Sequence, residues 1–116
     1  MKNWAAIRER YLRDNLQVRL GGLAADLRRI KSFSSQETSR EVIESLIEES
    51  KYFIEWTAPE EGIETAGELV AIQIQLAFWQ RQWEAVWRDP DRRRQVAVQS
   101  QIWSDRLMNL SGLLQD

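Results

Sequence analysis

The chain has neither cysteine nor histidine. The first absence excludes disulfides, thiolate metal sites, iron–sulfur clusters and a cysteine nucleophile. The second removes the commonest general base, the commonest zinc ligand and the usual haem ligand. Any catalysis has to rest on carboxylates, Lys, Ser, Thr or Tyr. Two prolines and five glycines in 116 residues are too few for a loop-rich or disordered chain. No stretch approaches about 18 apolar residues without a charge, so no transmembrane helix is expected. The start of the chain runs straight into Arg8, Glu9 and Arg10, which leaves no apolar core for a signal peptide. A cytoplasmic setting is therefore expected. A chain of this length supports one core, so residues 1–116 are expected to form a single domain.

What is present is charge in blocks and apolar residues at helical spacing. Residues 1–33 carry a net charge of +5, residues 34–68 one of −8, and residues 69–116 one of +1. In the first segment, about residues 3–32, Leu12, Leu16, Leu20, Leu23, Leu27 and Ile30 recur at three- and four-residue steps. The phase continues through Gly21-Gly22, so one helix is expected, kinked or tightly packed at that pair. A break into two helices is the alternative. Ser34 and Glu37 read as a capping box for a second helix reaching about Trp56, with Val42, Ile43, Leu46, Ile47, Phe53 and Ile54 inward. Thr57 with Glu60 reads as a further cap. The third stripe, Leu69, Ile72, Leu76, Trp79, Trp83 and Val86, averages 3.5 residues per step and is expected to end near Trp87. Asp89-Pro90 reads as N-cap and first residue of a fourth helix to about residue 114. Its inward face is expected to be Val96, Ile102, Trp103, Leu107, Leu110 and Leu114. Short connections force neighbours antiparallel. The expected fold is all-α, an antiparallel up-and-down four-helix bundle. Its basic first helix would lie beside the acidic second.

Two helices carry more apolar surface than such a bundle buries. Trp4, Ile7, Tyr11 and Val18 lie off the leucine stripe of the first. Val70, Ile74 and Phe78 form a second stripe on the third, and from Leu69 to Trp79 only Gln73 and Gln75 are polar. Apolar surface of this kind marks an interface. These seven residues, with Trp87, are the candidate partner-binding positions. The expected partner is a second copy of the chain or another protein. The competing expectation is a splayed bundle with Trp4 and Tyr11 folded inward.

Signals for chemistry are thin. Glu60-Glu61-Gly62-Ile63-Glu64 matches half of the magnesium-binding pattern of some all-helical nucleotide pyrophosphatases. The second half is missing, because Glu84 is followed by Ala85, Val86 and Trp87. Half a motif cannot supply magnesium's near-octahedral oxygens. Acidic residues opening a helix explain it better, although a carboxylate-based enzyme or ligand-binding bundle stands as the rival reading. Arg88 and Arg92-Arg93-Arg94 near tryptophan suggest nucleic acid as a third. The pI of about 5.3 argues against it. Trp79, Trp83 and Trp87 recur every four residues and read as core packing, with Trp87 at the solvent end. Met1 and Met108 offer no pair of haem ligands. No cofactor, metal site or catalytic residue is expected.

The stretch Arg19-Leu20-Gly21-Gly22-Leu23-Ala24-Ala25-Asp26-Leu27-Arg28-Arg29-Ile30-Lys31-Ser32-Phe33 resembles segments of small uncharacterised helical proteins of cyanobacteria. So does Glu48-Glu49-Ser50-Lys51-Tyr52-Phe53-Ile54-Glu55-Trp56. The resemblance implies a bacterial, cytoplasmic origin and carries no activity. The function expected from the residues is a non-enzymatic interaction or assembly module acting through helix faces.

Overall fold

A computed structural model describes residues 2–113, and all regular structure among them is helical. The α-helices are α1 (Trp4–Leu12), α2 (Leu16–Phe33), α3 (Arg40–Thr57), α4 (Ile63–Arg81), α5 (Trp83–Arg88) and α6 (Pro90–Ser111). Single 3-10 turns, Glu37–Ser39 and Ala58–Glu60, precede α3 and α4. α2 packs against both α3 and α6, α3 also packs against α4, and α5 lies on α6.

Side-chain caps set three of the helix starts. The Asn3 carboxamide accepts from the Ala6 amide at 3.1 Å and opens α1. Asn15 does the same for α2 through Val18 N, at 2.9 Å. Asp89 accepts from Asp91 N at 2.9 Å, and Pro90, which has no amide hydrogen to satisfy, is the first residue of α6 as expected. Gly112, with φ +73°, takes the left-handed position that ends α6. Leu114, expected on the α6 face, lies outside the described residues.

The first segment is two helices and not the expected one, broken at Arg13-Asp14-Asn15, while α2 runs through Gly21-Gly22, where the expected kink is absent. The glycine is there for packing. A Cβ on Gly21 would lie 2.7 Å from Leu113 Cδ1, just past the end of α6, and further along the pair the Ser104 hydroxyl donates to the Ala24 carbonyl at 2.7 Å. Small residues thus bring α2 and α6 together. This also corrects the expected inward face of α6. Val96 and Leu107 are buried, but Ser100 and Ser104 fill the stripe between them and Ser111 continues it, while Ile102 is 54% exposed.

Other boundaries move for local reasons. Ser34 is no N-cap: it ends α2 and its hydroxyl donates back to the Ile30 carbonyl. Thr57 is no cap either; it is buried and donates to Tyr11 Oη at 3.1 Å. The third segment is interrupted at Gln82 (φ −110°, ψ 23°), so that α5 is a separate turn carrying Trp83 and Val86 into the core. No glycine or proline marks that kink. Val42, expected inward, is exposed, and Leu12, Leu16 and Leu110 are half-buried.

The buried apolar residues form one cluster, with Leu23, Leu27 and Ile30 of α2, Ile43, Ile47 and Ile54 of α3, Leu69 and Leu76 of α4, and Leu107 of α6 fully enclosed. α1 closes the α3 end. Tyr11 stacks on Phe53 at 3.9 Å between ring centres, and Trp4 lies against Tyr52 at 4.3 Å. Arg19, 7% exposed, ties this end together. Its guanidinium donates to the Asp14 and Leu12 carbonyls at 2.8 and 3.1 Å and pairs with Glu60 at 2.7 Å. Tyr11 Oη donates to the Arg19 carbonyl at 2.8 Å. The carbonyls left open at the end of α1 thus receive a cation's donors. Burial pushes the Tyr11 phenol well above its usual range, against the Thr57 hydrogen bond and the Arg19 charge, which pull it down. Of the expected pairing between basic and acidic segments, the contacts formed are Arg19–Glu60 and Lys2–Glu49 at 3.6 Å.

Candidate functional site

An open cleft of about 980 Å³ lies between α4 and α6. Its apolar lining is Ala71, Ile72 and Trp79 from α4, and Val98 and Trp103 from α6. The indoles of Trp79 and Trp103 meet across it at 5.2 Å. Gln75, Gln95 and Gln99 supply neutral amides. Arg106 reaches across with two hydrogen bonds to Glu68, at 3.1 and 2.8 Å. That hydrogen bond and charge hold the Glu68 carboxyl below the usual range. Asp91 pairs with Arg94 at 3.0 Å about 20 Å further along α6. The charges lining the cleft therefore cancel in pairs, and its interior is apolar and amide.

The third-helix stripe lies on α4 outside the cleft lining. Val70 is exposed, Ile74 is 66% exposed and Phe78 is 50% exposed. They recur every four residues and so stand one above another on α4. Val98 and Ile102, also four apart and exposed, face water from α6. From Leu69 to Gln80 no residue is charged.

The other candidate positions separate from this stripe. Tyr11 is a core residue, bonded at its hydroxyl and stacked on Phe53. Trp4 and Ile7 are half-buried on α1, with Trp4 inside the aromatic group of Tyr52 and Trp56. The N-terminal residues fold inward because α1 turns back at Asn15 and lays its apolar side on α3. Val18 is exposed on α2. Trp87 is half-buried, 5.6 Å from Trp83, with the Arg93 guanidinium 5.1 Å above its ring.

The carboxylates stay apart. Glu60 is taken by Arg19, Glu44 and Glu84 by Arg40, and Glu48 by the Gln80 amide. No three acidic side chains among the described residues come together as a cation site. One carboxylate is unusual. Asp26, 3% exposed on α2, receives the Arg29 guanidinium on Oδ1 at 2.9 Å, while Oδ2 has no partner. Burial, and then the charge of Glu49, push its carboxyl up to about 7 against the pull of Arg29 and Lys2.

The sequence reading missed the α6 wall of the cleft. The signal was slight: of the apolar residues off the Val96–Leu107 stripe, Val98 lines the cleft and Ile102 does not. The Arg19 hub had no such signal, because its partners come from two connections far apart in the sequence.

No family model matches this chain, and searches of curated proteins and of solved structures found no similar protein.

Proposed function

We propose that this chain is a non-enzymatic interaction module whose α4–α6 side receives a second copy of itself. In this reading α2, α3, α4 and α6 are an antiparallel four-helix bundle with one seam left open. The observation that carries it is the uncharged α4 stripe beside the cleft. A twofold contact places the same patch on both subunits, so a patch of one charge sign repels itself. The segment Leu69–Gln80 carries no charge and cannot do so. The Val70–Ile74–Phe78 stripe of one copy seats along the cleft lip of the other, the two α4 helices crossing near Ile74. No helix among the described residues is long and apolar enough to cross a membrane. A bacterial cytoplasmic setting belongs to the same reading, supported by the resemblance to cyanobacterial segments.

The test is sedimentation velocity from about 1 to 100 μM, on the wild type and on Ile74→Lys and Phe78→Lys. The proposal expects a wild-type dimer. Each substitution acts twice per twofold interface, so at least tenfold weaker association is expected, with an unfolding midpoint unchanged when the proteins are compared at a concentration where they are monomers, because both side chains face outward. A wild-type monomer at 100 μM, or dimers unaffected by both substitutions, overturns it.

A further inference from the structure

A second hollow, of about 440 Å³, lies where the end of α2 meets the start of α6. It is lined by Lys31, Ser32 and Ser35 from the α2 side, with Glu37, and by Arg93 and Arg94 from α6. The chain therefore brings two of the three arginines of its run and a lysine some sixty residues away to one cavity.

Three features distinguish this from a solvated basic face. First, Lys31 and Arg93 have no carboxylate oxygen within 4.0 Å among the described residues. Arg94 is shared with Asp91 at 3.0 Å. Second, Arg93 is held in place, its guanidinium 5.1 Å over the ring of the half-buried Trp87. A cation fixed on an aromatic face loses less freedom when it binds an anion. Third, the charges around the hollow do not cancel: Lys31 and Arg93 face the single carboxylate of Glu37, while Arg94 is balanced by Asp91, a net of +1. The two helix ends contribute partial charges of opposite sign, so the side chains decide the field. The Ser32 and Ser35 hydroxyls add donors for oxygen acceptors.

We infer that this hollow is a binding site for a phosphate dianion, free or as a small phosphomonoester, held by Arg93, Lys31 and Arg94 with the Ser32 and Ser35 hydroxyls. A dianion suits the two unpaired cations, Lys31 and Arg93, with Arg94 beside them. Its oxygens suit the fork of a guanidinium and the point charge of an ammonium. The volume lies within the range of small-ligand pockets, roughly 300–1,000 Å³. The hollow shares Arg94 with the end of the α4–α6 cleft, and none of the α4 stripe residues Val70, Ile74 and Phe78 lines it.

The experiment is calorimetric titration of the full chain with inorganic phosphate and, separately, with O-phosphoserine, at low and at 0.5 M sodium chloride. The variants are Arg93→Gln, Lys31→Gln and the control Arg92→Gln. Arg92 is exposed on the same run but does not line the hollow. The inference expects one saturable site, weakened by salt, at least tenfold weaker in Arg93→Gln and in Lys31→Gln and unchanged in Arg92→Gln. Tighter binding of O-phosphoserine identifies a phosphomonoester as the ligand class; equal binding identifies free phosphate. Absence of saturable binding by both probes overturns the inference. So does an Arg92→Gln loss as large as that of Arg93→Gln, which marks undirected attraction to the arginine run.

Discussion

Replacing Asp26 by Asn should stabilise this protein above neutral pH and leave it almost unchanged at pH 5. The carboxyl is enclosed between α2 and α3, with one oxygen bonded to Arg29 and the other unpartnered. Glu49 faces it with like charge, and Lys2 and Arg29 with opposite charge. Its pKa is raised from 3.8 to about 7, so folding favours the protonated form. The sign follows. A raised native pKa contributes stability fully below the unfolded value, and that contribution is lost as pH rises through about 7. A shift of about three units corresponds to roughly 4 kcal/mol in full, of which roughly 2–3 kcal/mol falls between pH 5 and pH 8. Glu68 and Glu84, whose carboxyls are lowered by Arg106 and Arg40, act only further into acid. The assay is urea unfolding followed by tryptophan fluorescence at both pH values. Wild type should lose that 2–3 kcal/mol on going to pH 8, about 10 °C of melting temperature for a domain of this size. Asp26→Asn should lose little. A variant less stable than wild type at pH 8 refutes the reasoning, because it would mean that the carboxylate is well solvated or fully bonded in the folded protein.

Two further substitutions probe the scaffold. Gly67→Ala, at an exposed position inside α4 where an added Cβ meets nothing within 4 Å, should stabilise by about 0.5–1 kcal/mol in the same unfolding assay; a loss of stability contradicts the helix assignment there. Arg19→Met keeps the stem but strips the donors from the Leu12 and Asp14 carbonyls and from Glu60. It should cost roughly 2–4 kcal/mol and raise hydrogen exchange in α1 first, since the group is buried and bonded to several acceptors; uniform destabilisation with α1 still protected contradicts its role as the tie.

Element type was legible because apolar periodicity reports burial directly, and α3 and α6 begin or end close to where caps and stripes put them. The boundaries that moved share a cause. Gly21-Gly22 looks like a breaker, yet the helix runs through it with the Leu113 and Tyr11 side chains lying over the two glycines. Asn15 is a cap whose strength depends on a turn held by Arg19, and no local pattern announces that. The kink at Gln82 carries no breaker at all; the core's demand for Trp83 and Val86 bends the chain. Serines 100, 104 and 111 read as polar and are buried, because their size, and not their polarity, is what the α2–α6 contact selects. On the surface, the α4 stripe was readable from spacing alone. The cleft beside it was not, since it depends on how far α6 stands from α4.

The absence of cysteine makes the central claim directly measurable. Ile74→Cys and Val42→Cys each introduce one thiol, both at exposed apolar positions, the first on the α4 stripe and the second on α3. A disulfide forms only where Cα atoms approach to about 4.4–6.8 Å. Under mild oxidation at micromolar concentration, the account expects Ile74→Cys to trap a covalent dimer rapidly and Val42→Cys to remain largely monomeric. Equal, slow cross-linking of the two would contradict a self-contact through α4.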